Sequence, residues 1–367
     1  MDIWLIEPYY TGSHQAWADG YAAHSRHRVR LLTLPGRFWK WRMQGGAVTL
    51  ARMAAELDER PDLILASDML NLPVFVTLAG ERLSGVPVAL YFHENQLTYP
   101  LQPGEKRDLH YGFIHLASGL RADALFFNSA YHLDAFFDEL PRLLKHFPDY
   151  TELWAVDTLR AKAAVLPLGL DLARFDPHRP AAPRTGLPLL LWNHRWEYDK
   201  DPETFFRAVY ALAGEGWDFG LILLGESFRN LPAEFLLARD RLPDRIVHFG
   251  YAEDPSAYAH LLWQADVVVS TAVHEFFGAA VVEACYCGCF PVLPRRLTYP
   301  ELISPQYHEA CLYDDFDGLL ARLRGALSRI EETRRFSLHE QMAGYDWAQM
   351  APHYDDLLEQ VVARPMA

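Results

Sequence analysis

Residues 266–294 read DVVVSTAVHEFFGAAVVEACYCGCFPVLP. This stretch opens with an apolar run, crosses a loop that carries Glu275 and Gly278, continues in a helical pattern around Glu283, and ends in a second apolar run. Strand, helix and strand in this order predict a right-handed βαβ unit of a parallel sheet. Because parallel α/β sheets bind ligands beyond the carboxyl ends of their strands, a binding site is expected in the loop that follows the first strand.

The same alternation of apolar runs and helix-length segments extends through most of the chain. In the first half, the predicted strands are DIWLIE, HRVRLLTL, DLILAS, VPVALYFHE and ALFFNS. In the second half, they are PLLLWNH, FGLILLGE, RIVHFGY, DVVVSTA and FPVLP. The pattern predicts two similar α/β halves that face each other across a cleft.

A proline-rich segment separates the two halves. Five prolines fall within residues 167–188, and prolines at this density favour extended, unpaired chain. The predicted organisation is therefore a first domain at residues 1–168, a linker at 169–187 and a second domain at 188–346. A last helical segment, residues 347–367, is expected to pack back on the first half.

The composition is that of a folded protein, with 50% hydrophobic and 22% charged residues. No run reaches the roughly 18 uncharged apolar residues of a membrane span, and MDIWLIEPYY lacks the basic start and cleavage site of a signal peptide. The spacing of Cys285, Cys287 and Cys289 is too tight for a disulfide framework or a usual zinc site, which favours reduced thiols in a cytoplasmic protein. A formal net charge of -14 means that a nucleic-acid partner would need a local basic patch.

Two cations follow the strand PLLLWNH. Arg195 comes directly after it and Lys200 five positions later, and a helix is predicted to open near Pro202. Cations at a strand end beside a helix start are suited to a phosphate or diphosphate. The alternative is that both side chains are simply solvated.

The loop after DVVVSTA carries two glutamates eight positions apart, Glu275 and Glu283, among apolar neighbours. Gly278 lies where the loop becomes a helix, and a glycine there allows backbone N–H groups to approach an anion closely. Glu283 can present its carboxylate to vicinal hydroxyls, such as those of a ribose. Because buried glutamates without partners would be costly, we expect both to meet cations or hydroxyls.

These features together resemble a known family. The E-x7-E pair, followed by A-C-x-C-G-C-F-P-V and preceded by R-x4-K, resembles the retaining glycosyltransferases of family 4, whose GT-B fold has two facing Rossmann-like domains. LPLGLDLARF and LLGE are similar to further segments of that family. The resemblance implies that Glu283 binds the nucleotide ribose, that Glu275 contacts the donor sugar, and that Arg195 and Lys200 neutralise the diphosphate. The other donor-binding positions that it implies are Gly225, Phe277, Gly278 and Ala279. Gly12 and Ser13 are added because they are expected between the first strand and a helix, where their donors can face the cleft. One departure is Phe276, since the family's common E-G-F-G reads E-F-F-G here.

The first half indicates a subgroup. YYTGSHQAWADG, GRFWKWRMQGG and YFHENQLTYP resemble the tRNA-queuosine mannosyltransferases, which implies GDP-mannose as donor and queuosine in a tRNA anticodon loop as acceptor. His93 ends a predicted strand, where the family's histidine faces the donor sugar. The remaining histidines lack metal-ligand spacing, and positive side chains at the diphosphate make a metal unnecessary, so no metal is expected.

Residues 36–46 form a basic and aromatic patch in an acidic chain. Single-stranded RNA loops are recognised by stacking on aromatic rings and by Arg or Lys on phosphates, and this patch offers both. The alternative is that its tryptophans belong to the core. The candidate acceptor-binding residues are Arg37, Trp39, Lys40, Trp41 and Arg42, with His14 and Asn95 from the neighbouring motifs.

Three other functions compete with this one. A family 4 enzyme could act on a glycan or lipid, but the amphipathic basic helix that a membrane acceptor favours is not evident. A non-catalytic RNA-binding protein on a GT-B scaffold is disfavoured because Arg195, Lys200, Glu275 and Glu283 are all present. A sugar-nucleotide epimerase shares the fold, and product analysis separates it.

Overall fold

The computed structural model describes residues 1–101, 104–226 and 232–363. The chain forms two compact units. The N-terminal unit comprises Met1–Asp171 and the chain from Tyr345 onward, and the C-terminal unit comprises Leu172–Gly344. Within the described residues, no helix is both long and apolar enough to cross a membrane.

The N-terminal unit is built on a six-stranded parallel sheet with strand order β2-β1-β3-β4-β5-β6. The strands are β1 Asp2–Tyr10, β2 Arg28–Pro35, β3 Leu63–Ser67, β4 Val88–Phe92, β5 Ala124–Phe127 and β6 Ala163–Val165. The helices are α1 Gly12–His24, α2 Trp39–Ala55, α3 Leu72–Ala79, α4 Leu109–Arg121, α5 Ala130–Lys145, α6 Trp154–Arg160 and, from the end of the chain, α16 Trp347–Ala363. A short 3₁₀ turn covers Gly80–Leu83.

The C-terminal unit repeats this plan, with a six-stranded parallel sheet in the order β12-β11-β10-β7-β8-β9. The strands are β7 Leu189–Asn193, β8 Gly220–Leu224, β9 Ile246–Gly250, β10 Val267–Val269, β11 Phe290–Pro294 and β12 Leu312–Tyr313. The helices are α7 Pro202–Gly214, α8 Ala233–Arg241, α9 Pro255–Gln264, α10 Ala279–Tyr286, α11 Tyr299–Leu302, α12 His308–Cys311, α13 Phe316–Ser328, α14 Ile330–Arg335 and α15 His339–Ala343. The 3₁₀ turns are Ala173–His178, Tyr198–Lys200, Pro243–Arg245 and Pro305–Tyr307.

All ten strands predicted from the apolar runs are present, and the predicted α/β class is confirmed. Two strands were missed. Strand β6 has three residues and directly precedes the proline-rich segment, and β12 has only two residues. Both are edge strands, and such short pairings leave no apolar run that a sequence pattern could detect.

The last helix closes the core of the N-terminal unit. The buried Trp347 lies against two glycines, since a Cβ atom added to Gly20 would come 1.9 Å from its Nε1 and one added to Gly169 would come 2.4 Å from its Cε3. Asp355 of the same helix accepts hydrogen bonds from the Tyr21 hydroxyl at 2.8 Å and from the Arg26 backbone N–H at 2.9 Å. Helix α16 is therefore held to α1 by apolar packing and by a buried carboxylate.

This packing makes Gly20 sensitive to any side chain. Gly20→Ala should lower the free energy of unfolding by about 1–3 kcal/mol, because overpacking against Trp347 outweighs the better helix propensity of alanine. The matched control is Gly214→Ala, where no atom lies within 4 Å of the added Cβ. Urea unfolding of both variants measures the difference, and a Gly20→Ala protein as stable as the control would contradict the packing described.

Candidate active site

Lys200 is the centre of a buried charge cluster at the carboxyl end of β7. Its Nζ donates to the His274 carbonyl oxygen at 2.8 Å and to Glu275 Oε2 at 3.3 Å, and lies 3.2 Å from Asp199 Oδ2. Burial by itself lowers the pKa of Lys200, but the carboxylates of Glu275 and Asp199 outweigh it and raise this pKa. Lys200 therefore stays an ammonium ion although its side chain is only 8% exposed.

Glu275 is the other half of this cluster. Burial by itself raises the pKa of Glu275, but the charge of Lys200 outweighs it and lowers this pKa to about 2. Its Oε1 accepts a hydrogen bond from the Phe276 backbone N–H at 3.1 Å. The structure thus brings the predicted Lys200 and Glu275 together as an ion pair, with the carboxylate fixed in orientation.

The imidazoles beside this cluster are neutral at physiological pH. Burial, followed by the charge of Lys200, lowers the pKa of both His194 and His274 to about 4. Neither residue was identified from the sequence. The positive charge near Glu275 therefore comes from Lys200.

Arg195 is the exposed cation of the predicted pair. Half of its side chain is accessible, and its Nη1 lies 3.5 Å from Glu197 Oε2, a surface ion pair of small energetic value. The loop that carries Arg195 packs closely against Gly225. A Cβ atom on residue 225 would lie 1.8 Å from the His194 carbonyl oxygen, so only glycine fits there. Gly225 has φ +151°, and a glycine at this position lets the ends of β7 and β8 approach each other closely. Lys200 is buried, whereas Arg195 is exposed to solvent.

The predicted loop-to-helix transition at Gly278 is confirmed. Gly278 has φ +89° and precedes α10, whose first residue is Ala279. Phe276 and Phe277 are buried just before it, so the helix start is held against the core. The backbone N–H groups at this helix start are those that the sequence analysis expects to approach an anion.

Glu283 is held by two side chains that the sequence analysis missed. Its Oε2 accepts from the Tyr258 hydroxyl at 2.6 Å, and its Oε1 accepts from Arg174 Nη2 at 2.7 Å. Asn193 Nδ2 in turn donates to the Tyr258 hydroxyl at 2.8 Å. Burial raises the pKa of Tyr258 well above its usual value, so the phenol remains a proton donor. The expectation that this glutamate meets cations or hydroxyls is confirmed.

A second polar cluster lies in the N-terminal unit. Glu7, which the sequence analysis did not single out, lies in β1 and is fully buried. Its Oε2 lies 3.0 Å from His14 Nδ1, and its Oε1 accepts from the Tyr9 backbone N–H at 2.7 Å. Burial by itself lowers the pKa of His14, but the charge and hydrogen bond of Glu7 outweigh it and raise this pKa to about 9. His14 therefore carries a positive charge at neutral pH.

His93 follows β4 directly and contacts His14, with the two ring centroids 4.2 Å apart. Burial and the charge of His14 lower the pKa of His93 well below its usual value. Its buried Nε2 makes no hydrogen bond within the described part of the chain. Its backbone N–H donates to Asp68 Oδ1 at 3.0 Å. Glu7, His14 and His93 also offer potential metal-ligand atoms within 4.8 Å of one another, a grouping that their sequence spacing does not reveal.

The other predicted residues of this unit differ in exposure. Gly12 and Ser13 are exposed in the first turn of α1, rather than in a loop before it. Asn95 is fully buried, and its Oδ1 accepts from the backbone N–H groups of Leu97 at 3.1 Å and Thr98 at 3.0 Å. These two hydrogen bonds let Asn95 shape its loop, and its contact with an acceptor stays a prediction.

The basic and aromatic patch begins helix α2. Trp41 is 61% exposed, so the alternative that it belongs to the core is wrong. Trp39 is half-buried, with its ring 5.0 Å from that of Tyr111, and Lys40 Nζ lies 5.5 Å from the Trp39 ring centroid. Arg42 Nε donates to the Pro35 carbonyl oxygen at 3.0 Å, while Arg37 is exposed. The patch therefore combines one exposed tryptophan, one half-buried tryptophan and accessible cations.

Comparisons with known proteins place these features in a family. The model of the tRNA-queuosine alpha-mannosyltransferase N-terminal domain matches residues 2–170, and that of glycosyl transferases group 1 matches residues 175–337. The tRNA-queuosine alpha-mannosyltransferase of Drosophila melanogaster is 31% identical over 98% of this chain and 97% of its own length. The chain belongs to this family of glycosyltransferases.

Two further comparisons agree with this assignment. A GDP-mannose-dependent alpha-(1-6)-phosphatidylinositol dimannoside mannosyltransferase of Mycobacterium tuberculosis is 30% identical to this chain. The match covers 51% of this chain and 49% of the mycobacterial protein. The sucrose-phosphate synthase structure from Thermosynechococcus elongatus matches with a TM-score of 0.73, at 17% identity and with 99% of each chain covered. The likeness in structure shows that the glycosyltransferase has the predicted GT-B fold.

The hydrogen bonds to Glu283 can be tested within the C-terminal unit. Tyr258→Phe in the glycosyltransferase should weaken nucleotide binding by about 1 kcal/mol, because Glu283 loses the hydroxyl that orients its carboxylate. The matched control is Tyr286→Phe, which removes a hydroxyl donating to Asp176 at 2.9 Å in the same unit. Calorimetric titration with GDP measures both, and equal affinities for the two variants would show that Tyr258 does not support nucleotide binding.

Proposed function

We propose that this glycosyltransferase moves mannose from GDP-mannose to the queuosine base in the anticodon loop of a tRNA, with retention of anomeric configuration. The observation that carries the proposal is the likeness of the whole chain to a tRNA-queuosine alpha-mannosyltransferase, at 31% identity over 98% of its length. Cytoplasmic location and a sugar-nucleotide donor are part of the same proposal. The GDP-mannose-dependent relative supports GDP-mannose as that donor.

In this proposal, the C-terminal unit binds the donor. Glu283, oriented by Tyr258, accepts hydrogen bonds from the ribose hydroxyls. Arg195, Lys200 and the backbone N–H groups of Phe277, Gly278 and Ala279 stabilise the diphosphate, and Gly225 allows the Arg195 loop to pack closely. Glu275, fixed by Lys200, accepts hydrogen bonds from hydroxyls of the donor sugar.

The chemical step follows from charge stabilisation and positioning. The bond between the anomeric carbon and the diphosphate oxygen breaks, and a bond to the acceptor hydroxyl forms on the same face of the sugar. The acceptor proton moves to the leaving phosphate oxygen. Because negative charge grows on the diphosphate in this step, Arg195 and the helix start lower the barrier. A divalent metal is not needed for this stabilisation.

The N-terminal unit is proposed to bind the acceptor. An anticodon loop presents unstacked bases and phosphates, which aromatic rings and cations recognise. Trp41 offers an exposed ring and Trp39 a half-buried one, while Arg37, Lys40 and Arg42 supply positive charge. Gly12, Ser13 and His14 at the start of α1, together with His93 after β4, complete the polar groups of this unit.

The direct test combines the protein with GDP-mannose and queuosine-containing tRNA, followed by digestion and mass analysis of the nucleosides. The expected result is a queuosine nucleoside heavier by one hexose, formed equally well in the presence of EDTA. The same tRNA lacking queuosine is the control. Transfer that requires queuosine but stops with EDTA and recovers with manganese would contradict the metal-free diphosphate site, and no transfer at all would contradict the proposed function.

The basic and aromatic patch has its own test. Trp41→Ala should weaken tRNA binding by about 1–3 kcal/mol, because one base loses its stacking partner. Neutralising Arg37 and Lys40 should weaken binding and flatten its salt dependence, since fewer phosphate counterions are released.

The control measurement is GDP affinity, which neither change should alter. Melting temperatures should stay near that of the wild type, because Trp41 and both cations are exposed. If tRNA affinity is retained in all these variants, the patch does not bind the acceptor.

A further inference from the structure

Glu7 is a buried charge that the proposed reaction has not used. It lies in β1, has no solvent exposure, and both of its carboxylate oxygens are engaged. Oε1 accepts from the Tyr9 backbone N–H at 2.7 Å, and Oε2 lies 3.0 Å from His14 Nδ1. Burying a carboxylate is costly unless it is paired and hydrogen-bonded, so this arrangement is favourable only with a proton on His14 Nδ1.

We infer that Glu7 is a positioning residue for glycosyl transfer, because it fixes the ring orientation and proton position of His14 and thereby makes His14 a donor to an anionic oxygen of a substrate. The inference rests on the proposed function. His14 is 8% exposed and Glu7 is not exposed at all, so the imidazole is the member of the pair that a substrate can reach. The oxygen is that of a phosphate, from the sugar nucleotide or from the tRNA backbone.

Because His14 contacts His93, Glu7 also influences the charge of His93. With ring centroids 4.2 Å apart, the two imidazoles repel each other if both are charged. Of the two rings, it is that of His14 with which Glu7 pairs, at 3.0 Å, and this pairing decides which ring holds the charge. Asp68 and Glu94 also face His14 and favour its charged form, more weakly than Glu7 does. The pair is therefore divided into a charged His14 and a neutral His93.

The same three residues could instead bind a metal ion, since their potential ligand atoms lie within 4.8 Å of one another. Metal binding requires neutral imidazoles with their lone pairs directed at the ion. In the hydrogen bond between Glu7 and His14, the carboxylate oxygen and Nδ1 bind each other rather than an ion. The geometry therefore favours the ion pair, and bound metal is an outcome that would overturn the inference.

The test is the pH dependence of mannosyl transfer by Glu7→Gln. Glutamine keeps the size of the side chain and an oxygen for the Tyr9 N–H, but removes the charge. With Glu7, the pKa of His14 is raised to about 9, so wild-type kcat/KM should hold up to about that pH and fall above it. Without the carboxylate, burial lowers the pKa of His14, so the variant should lose activity from neutral pH upward. At pH 8 the loss should be about tenfold or more, since one pH unit changes the protonated fraction up to tenfold.

Two further variants separate positioning from stability. Glu7→Asp keeps the charge and should keep the alkaline limit near that of the wild type, even if the rate falls. Asp355→Asn removes another buried carboxylate of this unit, which accepts hydrogen bonds from the hydroxyls of Tyr21 and Ser25. It should lower the melting temperature without moving the pH profile.

Binding measurements identify the phosphate. If Glu7→Gln weakens GDP binding but not tRNA binding, the phosphate belongs to the donor. If it weakens tRNA binding but not GDP binding, the phosphate belongs to the tRNA. NMR titration of His14 in the wild-type protein tests the pairing without any variant.

Several results would overturn the inference. One is an unchanged pH profile in a folded Glu7→Gln protein. Another is a His14 pKa below its ordinary value of 6.5. A third is a metal ion bound stoichiometrically to the wild-type protein and absent from the His93→Ala protein. If the wild type transfers no mannose, the proposed function fails instead and this inference fails with it.

Discussion

The inner strands β3, β4, β5, β8 and β10 are buried along their whole length. A parallel sheet covered on both faces leaves almost no place for polar side chains except beyond the strand ends. His93 follows β4 in this way, as do Arg195 and Lys200 after β7 and Glu275 after β10. The parallel topology thus concentrates ionisable groups at the carboxyl ends of the strands in each unit, and the candidate residues of each unit follow from that constraint.

Burial then forces these groups to pair. Lys200 lies between two carboxylates, and Glu7 of β1 pairs with His14 of α1. Removing one partner of a buried pair leaves an uncompensated charge and commonly costs about 3–5 kcal/mol. Such pairs are rigid, which suits groups that must orient a sugar or a phosphate before reaction. Arg195 and Trp41, by contrast, are exposed and suit binding of a ligand from solvent.

The fold could be predicted from the sequence because each inner strand of the two sheets is a distinct apolar run. The sequence also singled out Glu275, Gly278 and Glu283, which share one short stretch, and their binding roles stay predictions. It could not reveal Tyr258, Arg174 or Glu7, because each acts through a contact with a residue distant in sequence or on another element. The burial of Lys200 and of Asn95 was equally hidden, since exposure depends on how loops fold back on the sheet.

Mannosyl transfer to queuosine with retention of the anomeric configuration is the central proposal for this glycosyltransferase. The most direct measurement is the anomeric configuration of the sugar on the purified nucleoside product, determined by NMR. Starting from the α-linked donor, the account predicts an α-mannosyl nucleoside. A β-linked product would show inversion and would contradict the account.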